Sequence, residues 1–569
     1  MSIDITKRLS KALAPALGIS EEKLYPLIET PPEAGFGDFA VPCFLFAREY
    51  KKNPAQIASG FRDLLLKKAD NILMIRTAEA RGPYLNIFVN KAFIVREVIR
   101  DLFPGTKNNL RKTGNGKTVI VDFSSPNIAK PFGIGHLRST VIGSSLCKIF
   151  TFLGYRVIGI NHLGDWGTQF GKLITAFKKW GNEQDLKNDP IKYLLGLYVR
   201  FHSEAGELPD LESEARNWFY RLENNDDEAY RLWEKFRALS IKEFKKIYTR
   251  LGVEFDNYTG ESFYSSMLEK TISNLISAGI TEESEGALVV KLDEDLPPAL
   301  LKKSDEATLY MTRDIAAAVY RHEKFDFDLA LYVVGSPQTL HFRQLFKVLG
   351  KMGLGWSENC YHIPFGHIRF EESAMSTRKG NVVFLEDVLD KATTLALSII
   401  NDKNPGLENK EKVAQEVGIG SIIFNDLKNN RIKDITFEWK DALNFNGETG
   451  PYLQYTHARI NSLLKKYKNT HGPVEFSDDL TFSDEGYQVA VLINSFEDSV
   501  LRASSEFEPS IISRYLLELA SDFNSYYNTH RVITDDKLLS LSRALLVYGV
   551  KSVLKTGLEL LGLTAVEKM

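Results

Sequence analysis

The chain has 569 residues, too many for one ordinary hydrophobic core, so about three domains are expected. With 44% hydrophobic and 25% charged residues and a net charge of −3, it reads as a globular enzyme. It does not read as a nucleic-acid binder held by bulk charge, although local basic faces remain open to it. No apolar run reaches the about eighteen residues that a membrane span needs.

Cys43, Cys147 and Cys360 are odd in number and far apart. They suggest buried structural thiols in a reducing compartment rather than disulfides or a metal site. The opening MSIDITKRLSKALAPALGI is too weakly apolar for a secretory signal, and Asp4 and Glu21 argue against a transit peptide. A cytoplasmic location is expected.

Residues 1–112 mix short helices and strands. Pro31 to Phe39 forms a turn-rich loop, and Pro83 to Val89 alternates as a strand does. A polar stretch around Gly114-Asn115-Gly116 closes this part. Residues 113–389 look α/β. Thr118–Phe123 is a continuous apolar run of the kind buried in a parallel sheet, His136–Phe152 is helical, and Tyr155–Ile160 is a second strand, which together make a βαβ unit. Further strand-like runs are Ala287–Leu292, Leu329–Val334 and Tyr361–Ile368. Two insertions, about 172–252 (charged and helical) and about 262–305, interrupt this part. In residues 390–569 strand signals nearly vanish and apolar residues such as Leu538, Leu541, Leu545 and Val550 recur at helical spacing.

Phe123-Ser124-Ser125-Pro126-Asn127-Ile128-Ala129-Lys130-Pro131-Phe132-Gly133-Ile134-Gly135-His136-Leu137-Arg138-Ser139-Thr140 lies between the first strand and its helix. Open α/β sheets bind ligands there, beyond the carboxyl ends of the strands. Glycines let a nucleotide approach the backbone, and the helix start offers free N–H groups. Taken alone, Gly-x-Gly-His is a tight turn with a helix cap. The whole string resembles the HIGH signature of class I aminoacyl-tRNA synthetases, in the form found in the arginyl-tRNA synthetase family. That family has histidine where this chain has Gly133. Losing one preorganised donor costs roughly a hundredfold in rate, small beside an enzymatic acceleration of about a millionfold or more, so a slowed or compensated enzyme is expected.

The resemblance extends along the chain. Ala374-Met375-Ser376-Thr377-Arg378-Lys379-Gly380 is similar to a degenerate KMSKS loop, whose cations hold the departing pyrophosphate. Lys130 stands where a lysine upstream of HIGH takes over part of that charge in relatives. Thr308-Leu309-Tyr310-Met311-Thr312-Arg313-Asp314 is similar to the family's LYxTRD, and Tyr310 and Asp314 share a face if the segment is helical. Asn161 to Gly171 resembles NYLGDWGxQFG, with His162 in place of tyrosine. Glu448 to Ile460 resembles the anticodon-binding domain, where aromatic, amide and arginine groups interleave to stack on bases and meet phosphate. Arg81 to Asn86 lies where relatives carry a strand that touches the tRNA elbow.

The resemblance implies an α/β fold: a Rossmann-like parallel-sheet catalytic domain with a helical insertion, an N-terminal α+β domain and a C-terminal all-α anticodon-binding domain. It implies arginine–tRNA ligase activity, with ATP cleaved to AMP and pyrophosphate, magnesium accompanying ATP, and a monomer as the working unit. L-arginine, ATP and tRNA(Arg) are the expected partners, with no membrane and no protein-bound metal. Lys130, His136, Ser376 and Lys379 carry the catalytic roles. Asp122, Ser125, Asn127, His136, Glu261, Tyr310, Asp314 and Gln338 are expected at arginine. Lys130, Gly133, Gly135, His136, His341, Met375, Ser376, Thr377, Arg378 and Lys379 are expected at ATP. Tyr84, Asn86, Tyr452, Gln454, Tyr455, His457 and Arg459 are expected at tRNA. Two other classes fit parts of the pattern: a non-catalytic tRNA-binding relative, suggested by Gly133, and a nucleotidyltransferase, against which the helical tail argues.

Overall fold

A computed structural model describes residues 5–68, 72–102, 113–206, 208, 210–293, 296–302, 310–370, 383–477 and 480–569. The chain divides into two compact units. One comprises Met1–Asn109, Thr456–Leu501 and Tyr515–Thr556; the other comprises Leu110–Tyr455, Arg502–Arg514 and Gly557–Met569.

The first unit holds strands β1 (Phe39–Pro42), β2 (Ile75–Arg81) and β3 (Tyr84–Val89), all antiparallel with β3 in the centre. Their inward faces, among them Val41, Ala78, Leu85 and Ile87, are buried. Around them lie helices such as Pro54–Leu66, started by Pro54 and capped by the Asn53 side chain, which accepts from the Ala55 N–H.

The second unit is built on a four-stranded parallel sheet. It contains β4 (Thr118–Asp122) and β5 (Arg156–Ile160). The next three strands in the chain, β6 (Thr281–Ser284), β7 (Ala287–Val290) and β8 (Ala299–Lys302), form a separate antiparallel sheet. β9 (Leu329–Tyr332) and β10 (Cys360–His362) complete the parallel sheet in the order β10-β9-β4-β5. Every residue of β4 is buried, as expected for a central strand covered on both faces. Between β5 and Gly252 the chain forms the helices Thr168–Trp180, Glu183–Asn188, Pro190–Glu204, Asp210–Glu223 and Asp227–Leu251. The last is capped by Asp226 and ended by Gly252 in the left-handed conformation at φ 64°.

Ala287–Leu292, expected as a strand, supplies β7 of the separate antiparallel sheet. Glu285 and Gly286, at φ 52° and 76°, make the two-residue turn that folds the run back on β6 as a hairpin. Tyr361–Ile368 is two strands: β10, and β11 (Ile368–Phe370), which pairs parallel with β12 (Ile435–Phe437). β12 lies in the region expected to lack strands, and at three residues it is too short to show a period. The remainder beyond Leu385 is helical, including Leu385–Lys403, Lys410–Leu427, Gly450–His471, Ser510–Thr529 and Lys537–Leu560. No helix among the described residues is long and apolar enough to cross a membrane.

Candidate active site

The chain leaves β4 through an unusual turn. Ser124, Ser125 and Ala129 all have positive φ, at 71°, 48° and 59°. Non-glycine residues in that region cost on the order of 1–3 kcal/mol each and persist only where the surroundings over-determine them. Here they do. The Ser124 N–H donates to Ser139 Oγ at 2.8 Å, and that hydroxyl donates to the Val333 carbonyl at 2.7 Å beyond the end of β9. Ser124 Oγ lies 2.8 Å from Tyr248 Oη, and the Ala129 N–H donates to Ser240 Oγ at 3.0 Å. Tyr248 and Ser240 belong to the Asp227–Leu251 helix, so the helical insertion braces the turn.

The turn runs into a short 3-10 segment, Ile134–His136, and then the Leu137–Phe152 helix. Gly133 is buried and extended, at φ −85° and ψ 170°, and bridges Phe384. Gly135 is exposed, with open space where a Cβ would stand. His136 Nδ1 lies 3.3 Å from the Gly133 carbonyl, which can only accept, so Nδ1 carries the proton. Burial holds the imidazole below its ordinary pKa despite that bond, and the charge of Lys130 lowers it further.

Acidic groups gather beside this turn. Asp314 is on the Tyr310–Phe325 helix, one turn after Tyr310, whose side chain is exposed. Its Oδ2 is 2.6 Å from His341 Nε2 and its Oδ1 is 3.9 Å from His162 Nε2. Glu261 Oε2 lies 3.6 Å from Arg313. Burial pushes the Glu261 carboxyl up to about 7, with Arg313 pulling the other way. Asp122, at the end of β4, is paired at 2.8 Å with the buried Arg321, and its other oxygen accepts from Ser125 Oγ at 3.1 Å. Asn127 is exposed, its backbone bridging Gly164, and Gln338 is exposed in a 3-10 turn after β9.

Residues 122, 125, 261, 314 and 341 thus meet at the carboxyl rim of the sheet where the His136 turn begins. Asp122, expected at arginine, is engaged by Arg321 on one oxygen and by Ser125 on the other, and so orients Ser125. Asp165 is likewise buried and occupied, accepting from Ser262 at 2.8 Å and Arg237 at 2.9 Å. The expected ATP residues Met375, Ser376, Thr377, Arg378 and Lys379 lie outside the described residues. Among those described, no group of three His, Cys, Asp or Glu side chains could hold a metal ion.

At the expected tRNA face, Tyr455 and Arg459 are exposed and Tyr452 is half-buried. Tyr455, with Phe445, Asn446, Asn404 and Lys403, lines a cavity of about 270 Å³. Gln454 and His457 are corrections. Both are buried on the inner face of the Gly450–His471 helix, and Gln454 donates to the Glu416 and Thr564 carbonyls at 3.3 and 2.9 Å. Asn86 is also buried, in the central strand β3, so its expected base contact is corrected too; Tyr84 beside it is exposed.

Comparison with known proteins settles the kinship. Residues 99–439 match the family model of the class I tRNA synthetases (R), catalytic domain. Residues 4–89 match the arginyl tRNA synthetase N-terminal domain, and 453–569 the DALR anticodon-binding domain. An arginine–tRNA ligase of Halothermothrix orenii is 48% identical over 570 residues, covering all of both chains. The chain belongs to the arginine–tRNA ligase family. A second member, from Clostridium perfringens, is 46% identical over the full length of both. The solved arginyl-tRNA synthetase of Thermus thermophilus superposes with a TM-score of 0.78 at 26% identity, covering 99% of each chain. The fold is the family's: an N-terminal α+β domain, a parallel-sheet catalytic domain with a helical insertion and a C-terminal helical domain.

Sequence reasoning missed Arg321, Ser240 and Tyr248, which organise the site from below. Their only signal is a polar residue on an apolar helix face, which many structural hydrogen bonds also leave. His341 was expected at ATP; its bond to Asp314 places it beside the acids.

Proposed function

We propose that the chain joins arginine to tRNA(Arg) at the expense of ATP. The observation that carries this is the meeting, at one rim of the parallel sheet, of the braced turn leading to His136 with the Asp314 and Glu261 carboxylates. An anion-binding helix start and a cation-binding acid pair side by side suit a triphosphate and a guanidinium.

In this reading Ser125 and Asn127 hold the amino and carboxyl ends of arginine. Asp314, Glu261, Tyr310 and Gln338 take its side chain. Lys130, Gly133, Gly135 and His136 receive the nucleotide, which enters as its magnesium complex, together with the basic segment Met375 to Lys379. The arginine carboxylate attacks the α-phosphorus and pyrophosphate leaves, giving arginyl-adenylate. The terminal ribose hydroxyl of tRNA then attacks the arginyl carbonyl and AMP leaves. No enzyme nucleophile is needed, and the chain supplies orientation and charge. His136 contributes in a specific way. Its Nδ1 proton is committed to Gly133, so Nε2 donates only once the phosphates draw a second proton onto the ring, an ionisation that burial opposes until they arrive. Exposed Tyr455, beside the cavity that Phe445 and Asn446 line, suits an unpaired base, and exposed Arg459 suits a phosphate.

The test is capture of labelled arginine on total tRNA in the presence of ATP. Arginine is expected to be charged, with lysine and citrulline refused. An absence of charging despite firm tRNA binding would favour the non-catalytic reading that Gly133 suggests.

A further inference from the structure

Asp314 faces two imidazoles, and the one assigned no role, His162, is the more constrained. Its Nδ1 lies 3.3 Å from a terminal nitrogen of Arg321. A guanidinium can only donate, so Nδ1 accepts and the proton of the neutral ring stands on Nε2. That atom lies 3.9 Å from Asp314 Oδ1, while His341 meets the other oxygen, Oδ2. Arg321 is 2% exposed and locked to Asp122 at 2.8 Å, so it is a fixed and permanent charge. Tyr264 closes the other side of the His162 ring, with ring centroids 5.7 Å apart.

From this juxtaposition we infer that His162 is a positioning residue for arginine selection: Arg321 fixes its tautomer, and its Nε2–H orients Asp314 toward the incoming guanidinium. The separation of 3.9 Å exceeds a hydrogen bond, so the N–H acts on Asp314 as an oriented dipole. A neutral donor is the only kind that serves here. It steers the carboxylate without adding a positive charge to repel the substrate. The same relay reaches the other end of arginine, because Arg321 grips Asp122 and Asp122 accepts from Ser125. The inference rests on the reading of Asp314 as the guanidinium's partner.

The experiment measures arginylation kinetics of the full chain and two variants. His162→Leu removes the donor; it should raise KM for arginine about tenfold, with kcat and KM for ATP within about twofold, because only an orienting contact to a charged group is lost. His162→Gln restores an N–H donor and should return KM for arginine to within about threefold of the parent. An unmoved KM for arginine in His162→Leu overturns the assignment, as does loss that falls equally on KM for ATP. If the parent protein charges no arginine, the reading of the whole site fails instead. A measurement independent of variant folding is the nitrogen-15 shift pattern of the labelled parent's histidines, assigned with His162→Gln where it folds and by backbone correlation otherwise. In its neutral form His162 should carry the proton on Nε2 and leave Nδ1 bare, and a neutral ring protonated on Nδ1 overturns the proposal.

Discussion

Arg138 and Asp426 form an ion pair at 3.0 Å in which each side chain is 1% exposed. Arg138 is in the first turn of the helix that follows His136, and Asp426 is at the end of the Lys410–Leu427 helix. Arg138 also donates to the carbonyls of Gly366 and Lys433 at 2.8 Å, which flank the β11–β12 pair. One guanidinium thus pins the signature helix to three other segments. Burial outweighs the attraction of Arg138 and pushes the Asp426 carboxyl up to about 6, so at pH 8 the pair is ionised.

Breaking the pair from either side leaves a buried charge alone. Asp426→Asn or Arg138→Met should each lower stability at pH 8 by about 3–5 kcal/mol, and the double variant should recover part of that loss. Urea unfolding of the three proteins checks this. Additive losses would mean that the two groups do not depend on one another.

How much of this was legible beforehand follows from the range of the interactions. The strand–turn–helix around Thr118 to Thr140 was readable because its signals are local: an apolar run, glycines and a helical period. Asp314 was readable through its motif. Arg321 was not, because its partners Asp122 and His162 are 199 and 159 positions away in the chain, and only folding brings them together. Gln454 and His457 misled for a related reason. Alternating aromatic and polar residues mark two faces of a helix without saying which is solvated, and here a polar face is buried against carbonyls. Ala287–Val290 was legible as a strand, while its antiparallel pairing follows from the Glu285–Gly286 turn.

Glu261 should make arginine use depend on pH. Its carboxyl is raised to about 7 in the folded protein, whereas an unfolded chain releases that proton at about 4.3. Between these values the folded state binds more protons, so stability falls as pH rises and is lowest above 7. Glu261→Gln removes that slope and should be more stable than the parent at pH 8 by ~1–3 kcal/mol, with no advantage at pH 4. A guanidinium favours the ionised acid, so KM for arginine should rise in the parent as pH falls below 7 and should be flat in the variant. Unfolding curves and KM measured from pH 6 to 8.5 test both halves.

The tRNA surface separates exposed from buried neighbours on one helix. Tyr455→Ala should weaken tRNA binding by about 1–3 kcal/mol, the value of one stacked base, without altering thermal unfolding. Gln454→Ala should do the reverse: it removes the donor that reaches the Thr564 and Glu416 carbonyls and strands the former, lowering stability by about 1–3 kcal/mol while tRNA affinity holds. Filter binding and thermal unfolding of the two variants distinguish the cases. Equal loss of tRNA affinity would place Gln454 in the interface after all.

Two glycines of the signature region should respond in opposite ways to one methyl group. Gly143, inside the Leu137–Phe152 helix, lies against Phe123, and a Cβ there would stand 2.3 Å from its ring. Phe123 cannot yield, being fully buried and stacked on Phe255 at 4.4 Å, so the helix must move. Gly143→Ala should cost about 1–3 kcal/mol of stability. Because the same helix carries Ser139 and follows His136, a shift of about 1 Å should also slow adenylate formation roughly a hundredfold. Gly135 has open space where its Cβ would stand, so Gly135→Ala should fold as the parent does. If the nucleotide approaches the backbone there, the methyl group meets ATP alone, and KM for ATP should rise while KM for arginine stays. Unchanged ATP kinetics in Gly135→Ala would move the nucleotide away from this turn, and with it the role given to His136.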